Sequence, residues 1–130
     1  MSLIVWEKSM ELGVAQIDAE HQKIVELIQT IERMIISDNE KNSIEKSLLE
    51  LLKFTELHFA SEETFMIRKE YPDYMWHKKI HERLIIDLKD KVYNLKYEFI
   101  DLDLLLKFVI AWFINHTTQE DSRLTKFLLS

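Results

Sequence analysis

Cysteine is absent from this 130-residue chain, and glycine and proline occur only once each, at Gly13 and Pro72. The lack of cysteine excludes disulfides, iron–sulfur clusters and thiolate zinc sites, so any bound metal must be held by nitrogen and oxygen atoms. Because glycine and proline are the residues that most often interrupt a helix, their scarcity allows long helices. The composition therefore predicts an all-α protein.

Long apolar runs and an excess of positive charge are also missing. No apolar segment approaches the roughly 18 residues that a membrane helix needs, and the amino terminus becomes charged too soon for a secretory signal. The net charge is −6, whereas binding to nucleic acid needs a positive surface. We therefore expect a soluble, cytoplasmic protein that binds neither membranes nor nucleic acid.

The chain has the size of one domain, 1–130, and 47% of its residues are hydrophobic, enough for one continuous core. From residue 17 onward, apolar residues recur at intervals of three and four, which predicts amphipathic helices. Residues 1–16 lack this periodicity. The expected fold is an antiparallel up-down four-helix bundle with an N-terminal arm at 1–16 and a short C-terminal helix.

The helix ends are predicted from capping residues and from proline. Asp18 is the expected N-cap of the first helix, and an Asn42–Glu45 capping box is expected to start the second. Pro72 separates the second helix from the third. The remaining signals are Ser37-Asp38-Asn39 as the end of the first helix and Asp101 or Asp103 as the N-cap of the fourth.

All five histidines fall on the apolar stripes of these helices. Left without partners, five buried imidazoles would cost about 5–15 kcal/mol, which is comparable with the stability of a whole domain. Imidazole and carboxylate groups are suitable ligands for iron, zinc, copper, nickel and manganese, and seven donors are too many for one ion. We therefore predict a site for two metal ions, formed by His21, His58, Glu62, His77, His81, His116 and Asp121.

The spacing of these donors is helical except at one step. The pairs His58–Glu62 and His77–His81 are one turn apart, so each pair shares a helix face. His116 and Asp121 are five residues apart, which leaves them about 140° apart on a regular α-helix. We therefore predict a π-type turn, a kink or a helix break at 117–120.

Several stretches of the chain resemble the hemerythrin family, and in particular the single-domain bacterial members called bacteriohemerythrins. They are Asp18–His21, His58–Met66, Tyr71-Pro72, His77–His81, Trp112–His116 and Asp121. The resemblance spans nearly the whole chain and implies two iron ions (Fe²⁺/Fe³⁺) with an oxo or hydroxo bridge. By this resemblance one iron is held by His77, His81 and His116 and the other by His21 and His58, and Glu62 and Asp121 bridge both.

The same resemblance implies reversible dioxygen binding at the iron that has fewer ligands. The expected role is oxygen transport, storage, delivery or scavenging, and not enzymatic catalysis. The implied oxygen pocket is formed by Ile24, Phe59, Trp112, Phe113 and Thr117. Thr117 stands where the family commonly has a large aliphatic residue, and we expect its hydroxyl to speed oxidation of the site by bonding an anion or admitting water.

Two other functions are compatible with a di-iron site. One is an enzyme that reduces nitric oxide or peroxide, although the sequence shows no evident proton relay or residue for electron entry. The other is an oxygen or redox sensor that acts through a separate, unidentified protein partner. Nitric oxide and small anions such as azide are further candidate ligands. A ferritin-like site is disfavoured because no histidine has a glutamate three residues before it.

Overall fold

The computed structural model describes residues 2–37 and 40–130, and within them it contains helices and no strand. This confirms the predicted all-α class. The helices are α1 (Ala15–Ile36), α2 (Lys41–Arg68), α3 (Tyr74–Tyr97), α4 (Leu102–His116) and α5 (Ser122–Leu128). A 3₁₀ turn, Lys8–Met10, precedes α1, and a π-helical turn, Thr117–Asp121, joins α4 to α5.

The four long helices close into a bundle. Helix α1 packs against α2 and α4, and α3 packs against the same two helices. The short connections make successive helices antiparallel, as predicted. None of the helices in the described ranges is both long and apolar enough to cross a membrane.

The N-terminal segment lies along the bundle as the predicted arm. Ile4 is buried in the main apolar core, and its carbonyl accepts a hydrogen bond from Gln29 Nε2 at 2.9 Å. The backbone N–H of Leu3 donates to the buried Glu32 carboxylate at 2.7 Å. The arm is therefore fixed to α1 by both apolar burial and hydrogen bonds.

Two predicted helix starts are wrong. Helix α1 begins at Ala15, and Asp18 instead accepts from the backbone N–H groups of Leu12 and Gly13 at 2.8 and 3.1 Å, closing the preceding turn. Helix α2 begins at Lys41, so Asn42 lies inside its first turn and forms no cap.

The remaining predictions concern the start of α4 and the end of α1. Asp101 caps α4 as predicted, because its side chain accepts from the N–H groups of Asp103 and Leu104. Ser37 follows the last residue of α1, while Asp38 and Asn39 lie outside the described residues.

Buried apolar residues form two clusters at different levels of the bundle. The larger cluster contains Ile28, Leu48, Leu88 and Val109, one from each long helix. The smaller one contains Ile17, Met66, Tyr71 and Leu124. In the sequence, the donors of each long helix, with Asp121 counted after α4, lie between a member of one cluster and a member of the other. The donors therefore form a polar layer with apolar side chains above and below it.

Candidate metal centre

The seven predicted donors come from all four long helices and meet at one level of the bundle. Each side chain is at least 94% buried, and both carboxylates are completely buried. Helix α1 supplies one donor, α2 and α3 supply two each, α4 supplies one and the π-helical turn supplies the last. In chain order they are His21, His58, Glu62, His77, His81, His116 and Asp121.

The π-helical turn brings Asp121 to the same side of the bundle as His116. A π turn takes one more residue than an α turn, which compensates for the i,i+5 spacing. The hydroxyl of Thr118 donates to the carbonyl of Ile114 at 2.8 Å, within the segment where the helix changes pitch. As a result, His116 Nε2 lies 3.0 Å from Asp121 Oδ1. The predicted irregularity is confirmed in its π-helical form.

One set of donors contains five residues, which we call the five-donor group. It comprises Glu62, His77, His81, His116 and Asp121, whose donor atoms all lie within 4.8 Å of one another. Glu62 Oε1 is 3.0 Å from His81 Nε2, and Asp121 Oδ1 is 3.2 Å from His77 Nε2. The five-donor group thus uses one oxygen of each carboxylate.

A second set, the four-donor group, comprises His21, His58, Glu62 and Asp121. Here the other carboxylate oxygens are used, because Asp121 Oδ2 is 3.0 Å from His21 Nε2 and Glu62 Oε2 is 3.3 Å from His58 Nε2. The Nε2 atoms of His21 and His58 are 3.1 Å apart. Each carboxylate therefore presents one oxygen to each group.

Most of these converging atoms have no hydrogen-bond partner among the described residues. Both oxygens of Glu62 and of Asp121 are buried without one, as are Nε2 of His77, His81 and His116. Buried polar atoms of this kind are costly unless something satisfies them. Neutral imidazole and carboxylate are the ligand types of first-row transition metals, so the donor set fits a pair of cations.

The electrostatics of the cluster follow from burial opposed by close charges. Burial disfavours a charged imidazole, but Glu62 and Glu20 outweigh it and raise the pKa of His58 to about 10. Glu62 and Asp121 likewise raise the pKa of His77 to about 9. Burial raises the pKa of Glu62, yet the surrounding histidines hold that pKa well below its usual value. Without metal, the cluster therefore binds protons at neutral pH.

Two further carboxylates, Glu20 and Glu63, brace histidines from outside the cluster, and we call them the outer carboxylates. Glu20 Oε1 lies 2.7 Å from Nδ1 of His58, and Glu63 Oε2 lies 2.9 Å from Nδ1 of His81. A hydrogen bond that Nδ1–H donates to a carboxylate fixes the orientation of the ring and leaves Nε2 free to bind metal. Neither residue was predicted from the sequence to have a role, although Glu20 precedes the donor His21 and Glu63 follows the donor Glu62.

A small cavity lies beside the four-donor group. The volume open to the centre of a water-sized molecule is about 10 Å³, close to the minimum for one water. Its wall contains the predicted residues Ile24, Phe59, Trp112 and Phe113, together with Leu84 and Thr55, which were not predicted. Donor residues also line it, namely His21, His58, His116 and Asp121.

Thr117 is not among the residues that line this cavity. Its hydroxyl donates to the carbonyls of Phe113 and Ile114 in the preceding turn. Because the π-helical turn begins at Thr117, this hydroxyl bonds the backbone of the helix that leads into the turn. The predicted effect of Thr117 on oxidation stays a prediction.

Comparison with known proteins relates this chain to one family. A family model described as the hemerythrin HHE cation binding domain matches residues 12–128. The bacteriohemerythrin of Pseudomonas aeruginosa is 32% identical over 124 residues, covering 94% of this chain and 79% of that protein. The bacteriohemerythrin of Methylococcus capsulatus is 31% identical over 127 residues, covering 93% of each.

Solved structures show the same relation. A crystal structure described as wild-type hemerythrin superimposes with a TM-score of 0.88 at 26% identity, covering 99% of this chain and 100% of that one. The likeness therefore includes the whole bundle and the level at which the donors meet.

Proposed function

The chain belongs to the hemerythrin family, and on that premise we propose that it binds dioxygen reversibly at a pair of iron ions and acts as a carrier, not as an enzyme. His77, His81 and His116 would hold one iron, and His21 and His58 the other. Glu62 and Asp121 would bridge the two, together with an oxo or hydroxo group. Two iron ions held in this way would supply the electrons that reversible dioxygen binding needs.

The observation that carries the proposal is the unequal division of the donors. The five-donor group has one donor more than the four-donor group, and both share Glu62 and Asp121. The cavity lies beside the four-donor group, and His21 and His58 form part of its wall. An ion held by the four-donor group would therefore have both a free position and adjacent space for a very small ligand.

The residues of the wall restrict what reaches that position. Phe59 stacks on the His81 ring at 3.8 Å with an interplanar angle of 4°, which leaves little freedom to either ring. The Trp112 indole N–H donates to the carbonyl of Leu84 at 3.1 Å, so the polar edge of that side chain is satisfied by backbone. A mostly apolar, tightly packed wall excludes water, which favours release of the ligand unchanged over its reduction.

Metal analysis combined with optical titration tests the proposal. We expect two irons per chain and absorption bands that appear when the reduced protein meets oxygen and disappear when oxygen is removed. Bands that bleach irreversibly with steady oxygen consumption would instead support an enzyme that reduces small molecules. Zinc as the bound metal, or one ion per chain, would contradict the proposal.

A further inference from the structure

Thr55 carries the one hydroxyl among the described residues that line the cavity beside the four-donor group. Thr55 is completely buried, and its Oγ1 has no hydrogen-bond partner among the described residues. It lies on α2, three residues before His58, which places both side chains on the same helix face. Both residues line the cavity beside the four-donor group.

A comparison with the other threonines shows that this arrangement is unusual for the chain. A threonine inside a helix commonly donates its hydroxyl to a carbonyl three or four residues earlier. Five of the six threonines do so, and all six lie in the described part of the chain. Those five are Thr30, Thr64, Thr117, Thr118 and Thr125.

Thr55 is the exception, although it lies well inside α2 and a carbonyl is available one turn earlier. Leaving a hydroxyl buried without a partner is unfavourable, and donation to that carbonyl would reduce this cost. A buried hydroxyl without a partner, on a residue that lines the cavity, is available to a ligand that enters it.

We propose that the Thr55 hydroxyl donates a hydrogen bond to the ligand that enters this cavity and thereby selects for ligands whose outer atom accepts one. The inference rests on the proposed function and adds the residue that determines ligand specificity. Within the described wall, the other side chains that do not belong to the donor set are Ile24, Phe59, Leu84, Trp112 and Phe113. Their apolar groups offer no donor, and the indole N–H of Trp112 is already engaged.

The ligand class follows from the size of the cavity and from the single donor. A space of about 10 Å³ admits the centre of only one water-sized group, so only very small ligands fit. Dioxygen and azide can both accept a hydrogen bond at the atom remote from the metal. We therefore expect Thr55 to strengthen the binding of both.

The test uses the iron-loaded protein with azide as the probe. Thr55→Val removes the hydroxyl at nearly constant shape, and Thr55→Ser keeps it. Thr64→Val is the matched control, because Thr64 lies on the same helix and its hydroxyl already donates to the Ala60 carbonyl at 3.0 Å. Dissociation constants come from optical titration, and infrared spectra of bound azide are compared in H₂O and D₂O.

We expect Thr55→Val to weaken azide binding about tenfold, the loss typical of one hydrogen bond, while Thr55→Ser and Thr64→Val stay within about threefold of the parent. The azide stretching band should shift in D₂O in the parent and not in Thr55→Val. Equal azide affinity in Thr55→Val and the parent would overturn the inference and leave the di-iron proposal intact.

A stability measurement separates this role from a structural one. In the iron-loaded protein without added ligand, Thr55→Val should not lower the free energy of unfolding in denaturant, because the hydroxyl it removes has no partner. A loss of stability larger than that of Thr64→Val would show that the hydroxyl supports the fold, and would overturn the inference. If the parent itself lacks two irons or reversible oxygen binding, the proposed function is what fails.

Discussion

At the scale of single residues, we expect the outer carboxylates to increase the affinity of the four-donor and five-donor groups for metal. Glu20 accepts from Nδ1 of His58 at 2.7 Å. In Glu20→Gln the amide oxygen can still accept, but it is neutral, so the ring becomes a weaker donor to metal. Replacing such a group typically costs 10- to 100-fold in metal affinity. We expect Glu20→Gln to release one of two irons to a chelator at least about ten times faster than the parent does.

The controls for this prediction are two other glutamate substitutions. Glu63→Gln should weaken the other ion instead, because Glu63 braces His81 of the five-donor group. Glu26→Gln, on the exposed side of α1, should behave like the parent. Chelator competition followed optically distinguishes the two ions. The same release curve for Glu20→Gln and Glu26→Gln would mean that the outer carboxylate does not support the metal.

At the scale of elements, the π-helical turn decides whether Asp121 can take part. Deleting Gln119 would restore regular α-helical spacing, so that Asp121 follows His116 by four residues and the chain beyond rotates by about 100°. The downstream Leu124 would then leave the small apolar cluster, or Asp121 would leave the site. We expect the deletion variant to hold at most one iron per chain, measured by metal analysis, while its far-ultraviolet circular dichroism stays helical.

Gln119→Ala is the control for the deletion, because it keeps the length of the turn and changes an exposed side chain. It should bind two irons. A deletion variant that also binds two irons would show that α4 and α5 can adjust without the extra residue, and that the π geometry is not required for the site.

These elements also show what the sequence could predict. Periodicity placed six of the seven donors on facing sides of the helices, and the five-residue step from His116 to Asp121 required an irregular turn; the structure has both. Helix starts were harder to predict. Asp18 and Asn42 are good capping residues in isolation, but Asp18 closes the turn before α1 and α2 starts one residue before Asn42. Glu20 and Thr55 were missed because their roles depend on partners from other helices or on a space that several helices enclose.

At the scale of the whole molecule, the polar layer between two apolar clusters makes stability depend on metal. Without metal, the bundle encloses the protonated His58 and His77 together with Glu62 and Asp121. A metal that binds only the folded state adds about 2.7 kcal/mol when its free concentration is a hundred times its dissociation constant. For a domain of this length, that corresponds to a rise in melting temperature of roughly 10 °C.

This stabilisation should grow as pH rises from 6 to 9. The pKa values of His58 and His77 are raised to about 10 and about 9, so these rings stabilise the metal-free fold below pH 6.5 and lose that contribution as pH rises through 9 and 10. Metal needs the neutral rings, so its binding displaces protons and strengthens with pH over the same range.

Melting curves with and without Fe²⁺ under anaerobic conditions, recorded at pH 6, 7.5 and 9, measure this dependence. The gap in melting temperature should widen at each step, and titration of metal-free protein in weak buffer should release protons at pH 7. Mg²⁺ is the control, because it prefers oxygen ligands to imidazole, and it should leave the melting temperature unchanged. A gap that stays constant between pH 6 and 9 would mean that the buried histidines are already neutral before metal binds.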